Sequence, residues 1–320
     1  MKPLMAALLT TVAITSASTG LAAESYPTQP IRLIVPFGAG GGTDGLARAI
    51  QLFANNNNLI PEPIVVVNAP GAGGAVGTRQ LLAADPDGYT ILQIHQEMFA
   101  ASAIERVNYT PDDFEPIIQV SEACMFVAVN EDSPYTNLDE MFSDINENSG
   151  NFRQADDIGG ATHFPSAQLM NAAGVQWPIV PVGATSARFT SLQGGFTQMA
   201  LLSPLWLERA TGKVRPLAVL GDERYEFAPD LPTAKEQGYD VTACLNRRYW
   251  APAGTPQEHI DVLADTIEAA ANSEEVHQYL AESGEVLKIV RGEELRDLVD
   301  KEYASFVEVA DTVKGSLSNN

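Results

Sequence analysis

Ile31-Arg32-Leu33-Ile34-Val35-Pro36-Phe37-Gly38-Ala39-Gly40-Gly41-Gly42-Thr43-Asp44 is the stretch on which the fold turns. Its first five residues are mainly apolar and β-branched and read as a buried strand. Pro36 to Thr43 is a glycine-rich break. A helix begins near Asp44, with Leu46, Ile50 and Phe53 at helical spacing on one apolar face. The Asn55–Asn58 run and Pro61 stop it. The unit then repeats: Ile64-Val65-Val66-Val67 is a second strand, and Asn68 to Gly74 is a second break. A helix is expected from Ala75 to Ala84. Asp85-Pro86-Asp87-Gly88 turns the chain into a third strand at Tyr89-Thr90-Ile91-Leu92. Strand, helix, strand, helix, strand builds a parallel sheet with right-handed crossovers.

Further along, Cys124 to Val129 is an apolar strand that carries the chain into a second lobe. That lobe takes the helix after His163 and strands near Ile179, near Ala200 and from Arg215 to Leu220. Val241 to Trp250 reads as a strand returning to the first lobe. Helices rich in Glu and Ala finish the chain, from Gln257 to Val313. The expected architecture is therefore α/β and two-lobed, each lobe a mainly parallel sheet flanked by helices, with two crossing hinge strands. The expected boundaries are residues 24–122 and 249–320 for the first lobe and 123–248 for the second.

The start of the chain lies outside this pattern. Lys2, an uncharged and mostly apolar run from Leu4 to Ile14, and small residues ending at Leu21-Ala22-Ala23 have the order of a secretory signal. The apolar run is short of the about 20 residues of a membrane span. Residues 1–23 are therefore expected to be a signal peptide and the mature protein exported. The remaining ~300 residues suit two lobes of ordinary domain size.

A net charge of -22 and the lack of a Lys/Arg run argue against a nucleic-acid partner. The two cysteines, Cys124 and Cys244, permit one bridge in an oxidising compartment, with two buried thiols as the other reading. Neither cysteine has a partner at zinc spacing, and the four histidines (His95, His163, His259 and His277) are dispersed, so no metal site is expected. No G-x-S-x-G elbow occurs and the carboxylates are spaced as solvated helix faces, which disfavours a hydrolase.

Either glycine loop alone reads as a tight turn, but the pair in successive strand–helix units points to a binding site. Ligands of open parallel sheets bind beyond the carboxyl ends of the strands. There each loop opens into a helix whose first N–H groups lack partners and carry about half a positive charge. Two such starts side by side hold an anion without a cationic side chain. The candidate donors are the amides of Ala39, Gly40, Gly41, Gly42 and Thr43, those of Ala72, Gly73 and Gly74, and the Thr43 hydroxyl. Asp44 is either a partner of the helix dipole or a group that orients bound water. A dinucleotide fingerprint fails in both loops: Gly38 and Gly40 fit its start but Thr43 stands at its end, and Gly71 and Gly73 fit but Val76 does not. No nucleotide or other cofactor is expected.

Taken together, these residues resemble the periplasmic solute-binding receptors of the tripartite tricarboxylate transporter family, also called Bug receptors. The resemblance rests on Tyr26-Pro27, Ile31 to Phe37, Ala39-Gly40-Gly41 with Asp44, Asn68, Pro70 to Gly74, and Pro86-Asp87-Gly88-Tyr89-Thr90. It continues through Thr162-His163, Gly194-Gly195, Leu231-Pro232-Thr233 with Gly238-Tyr239, and Ala251 to Pro256. It implies a Venus-flytrap fold, carboxylate capture between the lobes by backbone amides and ordered waters, no cofactor, and delivery to integral membrane permease subunits. The chain is expected to be a monomer and not an enzyme. A ligand sensor for a signalling partner and a secreted hydrolase are the alternative readings.

The chain departs from the family pattern in the second lobe. Val182-Gly183-Ala184 replaces an aromatic and a lysine, Gln198 replaces an acid, and Asn246-Arg247-Arg248-Tyr249 stands where an aromatic and a small residue are usual. One of Arg247 and Arg248, or less so Arg188, is expected to supply the missing cation. The expected ligand set is Phe37, Ala39, Gly40, Gly41, Thr43, Asp44, Asn68, Gly71, Ala72, Gly73 and His95 in the first half. It continues with Thr162, His163, Gly183, Ala184, Ser203, Arg247 and Arg248.

Overall fold

The computed structural model describes residues 26–183 and 185–318. The expected signal segment, residues 1–23, lies outside the described residues, as does Ala184. The first sheet contains β1 (Ile31–Val35), β2 (Ile64–Asn68), β3 (Thr90–Ile94), β4 (Phe114–Cys124), β10 (Cys244–Pro252) and β11 (Val286–Arg291), in the order β11-β4-β10-β3-β1-β2. The second contains β5 (Phe126–Asn130), β6 (Gln154–Asp156), β7 (Ile179–Pro181), β8 (Met199–Leu202) and β9 (Val214–Val219), in the order β7-β6-β8-β5-β9.

The helices of the first lobe are α1 (Gly42–Asn56), α2 (Ala75–Leu82), α3 (Glu97–Ala103), α8 (Gln257–Ala271), α9 (Glu274–Ser283) and α10 (Gly292–Ser318). Those of the second are α4 (Leu138–Asn148), α5 (His163–Ala173), α6 (Thr185–Gln193) and α7 (Leu205–Arg209).

β1 is buried on both faces, which is why its sequence is nearly all apolar rather than alternating. Ile31, Leu33 and Val35 pack with Leu46 and Ile50 of α1 and Leu263 and Ile267 of α8. Ile34 faces the other way, toward Leu81, Leu92, Phe99 and Trp250 and the apolar stripe of α10. This second cluster also takes in Phe164 and Ala167 of α5, so it crosses from one lobe to the other; Phe164 stacks on Phe306 of α10 at 4.3 Å.

Gly77 is what lets α2 lie against the end of β1. A Cβ there would stand 2.7 Å from the Pro36 Cβ and 3.0 Å from its backbone Cα. Gly77→Ala is expected to cost about 1–3 kcal/mol, the usual penalty for overpacking; urea denaturation measures it, and an unchanged midpoint would contradict this packing.

Both sheets are mixed. The expected parallel arrangement is found in β2-β1-β3 and β7-β6-β8, and the remaining pairings are antiparallel. The reason is the crossover. β4 leaves the first lobe and β10 returns to it, so the two run in opposite directions and pair along their length, from Phe114 opposite Pro252 to Cys124 opposite Cys244. At the crossing the two cysteines form a disulfide, and Met125 N–H donates to the Ala243 carbonyl at 2.8 Å.

β10 belongs to the first sheet from Cys244 onward, so residues 244–248, expected in the second lobe, lie with the first. The C-terminal region is not purely helical either: β11 interrupts it and pairs with β4. Its apolar Val286, Leu287, Ile289 and Val290 follow Gly284, which ends α9 in the left-handed region at φ 68°.

Candidate functional site

Because β1 and β2 pair in parallel with Val35 opposite Asn68, the two glycine loops leave the sheet level with each other. In the first loop Gly41 is the N-cap of α1, in extended backbone (φ -79°, ψ 169°), and no side chain caps the helix. The first return bond is from Gly45 N–H to the Gly41 carbonyl at 2.8 Å. Among the described residues none accepts from the N–H groups of Gly42, Thr43 or Asp44.

In the second loop Gly71, Ala72, Gly73 and Gly74 all have positive φ (136°, 48°, 60° and 86°). Gly74 and Val76 donate back to the Gly71 carbonyl. The amides of Ala72 and Gly73 have no acceptor among the described residues. Ala72 holds a conformation that L-residues with a Cβ adopt at a cost of about 1–2 kcal/mol; such strain clusters where function constrains the backbone.

The loops are tied together from behind. Asp44 accepts from Gly40 N–H (2.8 Å) and Arg48 Nε (2.9 Å) through one oxygen and from Asn68 Nδ2 (2.8 Å) through the other. Asn68 also donates to the Phe37 carbonyl and accepts from Arg48. Burial works against the Asp44 charge, but the bonds from Arg48, Gly40 and Asn68 outweigh it and hold the carboxyl below its ordinary range. Asp44 and Asn68 thus brace the site, and both Asp44 oxygens already have protein donors. The Gly40 and Gly74 amides, expected as ligand donors, are likewise used inside the loops.

His95 stacks on Phe37 at 5.4 Å beside the first loop. Burial, aided by Arg247, pushes its pKa down to about 3, so the ring is neutral. Its Nδ1 accepts from Glu97 N–H at 3.3 Å, which leaves Nε2–H as the donor.

The arginines expected to replace the missing cation are neutralised by the protein itself. Arg247 pairs with Glu285 through Nε and Nη2, the latter at 2.7 Å, and its Nη1 donates to the Thr43 hydroxyl at 3.1 Å. Arg248 is directed elsewhere, into Glu302 and Gln119 beneath α10. Neither is a free cation for a ligand. Arg247→Met would leave Glu285, only 6% exposed, without its partner. The expected loss is about 3–5 kcal/mol, as for other broken buried pairs. Partial recovery in Arg247→Met/Glu285→Gln by chemical denaturation would identify the unpaired charge as the cause; a single-variant loss under about 1 kcal/mol would contradict it.

In the second lobe Asp156, at the end of β6, is the buried centre of a network. It accepts from Gln154 Nε2 (2.7 Å), Ser166 Oγ (2.9 Å), the Thr162 hydroxyl and Arg188 Nη1 (3.3 Å). Arg188 also donates to Thr162 (2.8 Å) and Thr185 (2.9 Å). Gly183 N–H is bonded to the Asp156 carbonyl, and Ser203 follows β8 at the same sheet edge. His163 accepts from Gly159 N–H through Nδ1 (3.0 Å), while its buried Nε2 has no partner. Burial lowers its pKa, so it is a neutral donor.

Two residues absent from the expected set matter here. Asp156 organises Thr162 and Arg188, and Glu97 spans the lobes by accepting from Ala161 N–H at 2.9 Å. The sequence did carry one sign of Glu97: an acid five residues past Leu92, the expected end of the third strand, at the sheet end where both loops emerge. Among the described residues one trio of possible metal ligands comes together, Glu122, Cys124 and Cys244, and its two sulfurs are bonded to each other. No helix among the described residues is long and apolar enough to cross a membrane.

Known proteins resemble this chain over most of its length. A family model described as "Tripartite tricarboxylate transporter family receptor" matches residues 46–304. The chain is 27% identical over 310 residues to Protein BugT of Bordetella pertussis, covering 93% of this chain and 94% of that protein. A ligand-free TctC solute binding protein from Polaromonas superposes with a TM-score of 0.80 at 26% identity, over 90% of this chain and 100% of the other. MatC from Rhodopseudomonas palustris, solved with bound malate, gives a TM-score of 0.74 at 26% identity, over 89% and 100% of the two chains.

Proposed function

From the premise that this chain belongs to the tripartite tricarboxylate transporter receptor family, whose members are solute-binding receptors rather than enzymes, we propose that it captures a small carboxylate in the periplasm and presents it to membrane permease subunits. The observation that carries this reading is the pair of braced, uncapped helix starts. The free amides of Gly42, Thr43 and Asp44 follow β1, and those of Ala72 and Gly73 follow β2, from strand ends that lie level with each other. A carboxylate seated there receives several charge-assisted hydrogen bonds, at roughly 1.5–3 kcal/mol each. Micromolar affinity needs about 8 kcal/mol net, which such bonds and burial supply after ordering.

The far end of the ligand meets the second lobe near Thr162, His163 and Gly183. The neutral His163 Nε2–H is a donor for a second acid or a hydroxyl. The malate-bound relative supports a dicarboxylate of that size. Closure of the second lobe about the β4–β10 crossover completes capture. Mass spectrometry of ligand released from purified protein, followed by calorimetry with that compound, tests the assignment. Release of a nucleotide or a metal in place of an organic acid would overturn it.

A further inference from the structure

Glu97 begins α3, just past the end of β3. Its Oε2 accepts from Ala161 N–H, in the turn that leads into α5 of the other lobe. Its Oε1 lies against the second glycine loop, where a Cβ on Gly73 would stand 3.0 Å away. Among the described residues it is the one carboxylate that hydrogen-bonds from one lobe to the other. It lines an inter-lobe cavity of about 460 Å³ together with Ala72, Gly73, Arg79, Arg106 and Asp157.

We propose that Glu97 is a ligand-cleft residue that takes up a proton when the lobes close over a carboxylate, its carboxyl group then bridging the bound anion and the Ala161 amide. This rests on carboxylate capture at the two loops. An ionised Glu97 beside Gly73 repels an anion seated on the same loop. Like charges in one site do not both stay ionised. Once protonated, the carboxyl offers its O–H to the ligand, and its carbonyl oxygen continues to accept from Ala161.

The surroundings act in the same sense. Burial between the lobes pushes the Glu97 pKa up to about 7; Asp157 and Asp156 add to the rise, while the Ala161 N–H and the Arg188 guanidinium oppose it. Arg79 of α2 and Arg106 after α3 are the cations on the cavity wall. With the lobes apart the carboxyl returns toward its ordinary 4.5. An acid whose pKa is higher in the closed state penalises closure fully above pH 7, and the penalty shrinks as the pH falls toward 4.5. Affinity should therefore rise about tenfold from pH 8 to pH 6.

The test is calorimetry of wild type and Glu97→Gln at pH 6.5, in buffers of different ionisation enthalpy. The probe is malate first, then succinate, citrate, glutamate and benzoate. Wild type is expected to take up most of one proton per ligand bound. E97Q is expected to bind with no such uptake and no pH slope, because its amide oxygen keeps the Ala161 bond. Equal uptake in both proteins overturns the inference and leaves carboxylate capture standing. Folded wild type that binds none of these acids overturns capture itself, and this inference with it. Should E97Q not fold, carbon-13 NMR of glutamate carboxyls in the malate complex decides the point. One titrating near or above pH 7 supports the proposal, and none above about 5.5 overturns it.

Discussion

Gly41→Asp is expected to abolish ligand capture while leaving the protein at least as stable as before. Position 41 is already an N-cap in extended backbone, and a Cβ there meets nothing nearer than the Gly38 carbonyl at 3.6 Å. Aspartate is among the best N-caps, and replacing glycine with it gains a few tenths of a kcal/mol. Its two oxygens would accept from the N–H groups of Thr43 and Asp44, the groups proposed to hold the ligand. Losing two charge-assisted bonds at roughly 1.5–3 kcal/mol each, with a fixed negative charge added, predicts at least a hundredfold loss of affinity. Thermal unfolding and calorimetry on the same preparation measure both effects. Undiminished affinity in G41D would place the ligand elsewhere.

Breaking the Cys124–Cys244 bridge should produce the largest change in stability. The bridge joins residues 120 apart in sequence and encloses the whole second lobe. A closed loop of that length restricts the unfolded chain by about 4–5 kcal/mol in the entropic account. At roughly 2 °C per kcal/mol for a chain of this size, the Cys124→Ser/Cys244→Ser protein should melt about 8–10 °C lower. A shift under 2 °C would mean that pairing of β4 with β10 already holds the crossover closed without the bridge.

What the sequence made legible, and what it did not, divides by range. β1, both glycine loops and α1 were readable because their signals are local: an apolar run, a break, a 3.6-residue period. The fate of Arg247 and Arg248 was not, because Glu285 and Glu302 lie 38 and 54 residues further on and reach them only after β11 and α10 have packed. Asp44 reads as a partner of the helix dipole or of a bound water, because its actual partner Asn68 is 24 residues away. Glu97 meets Ala161 across 64 residues and a lobe boundary. β11 was hidden among acidic helices because five or six residues carry too little periodicity to stand out.

The Asp44–Arg48–Asn68 brace bears on the order of events during uptake. It ties the two first-lobe loops together within the protein itself, so on the proposed reading no loop has to be frozen on contact with a solute. On that reading encounter and locking are separate steps on separate lobes, landing governed by diffusion and escape by how long the opposite lobe stays shut. Changes at the crossover should therefore alter residence time far more than arrival rate.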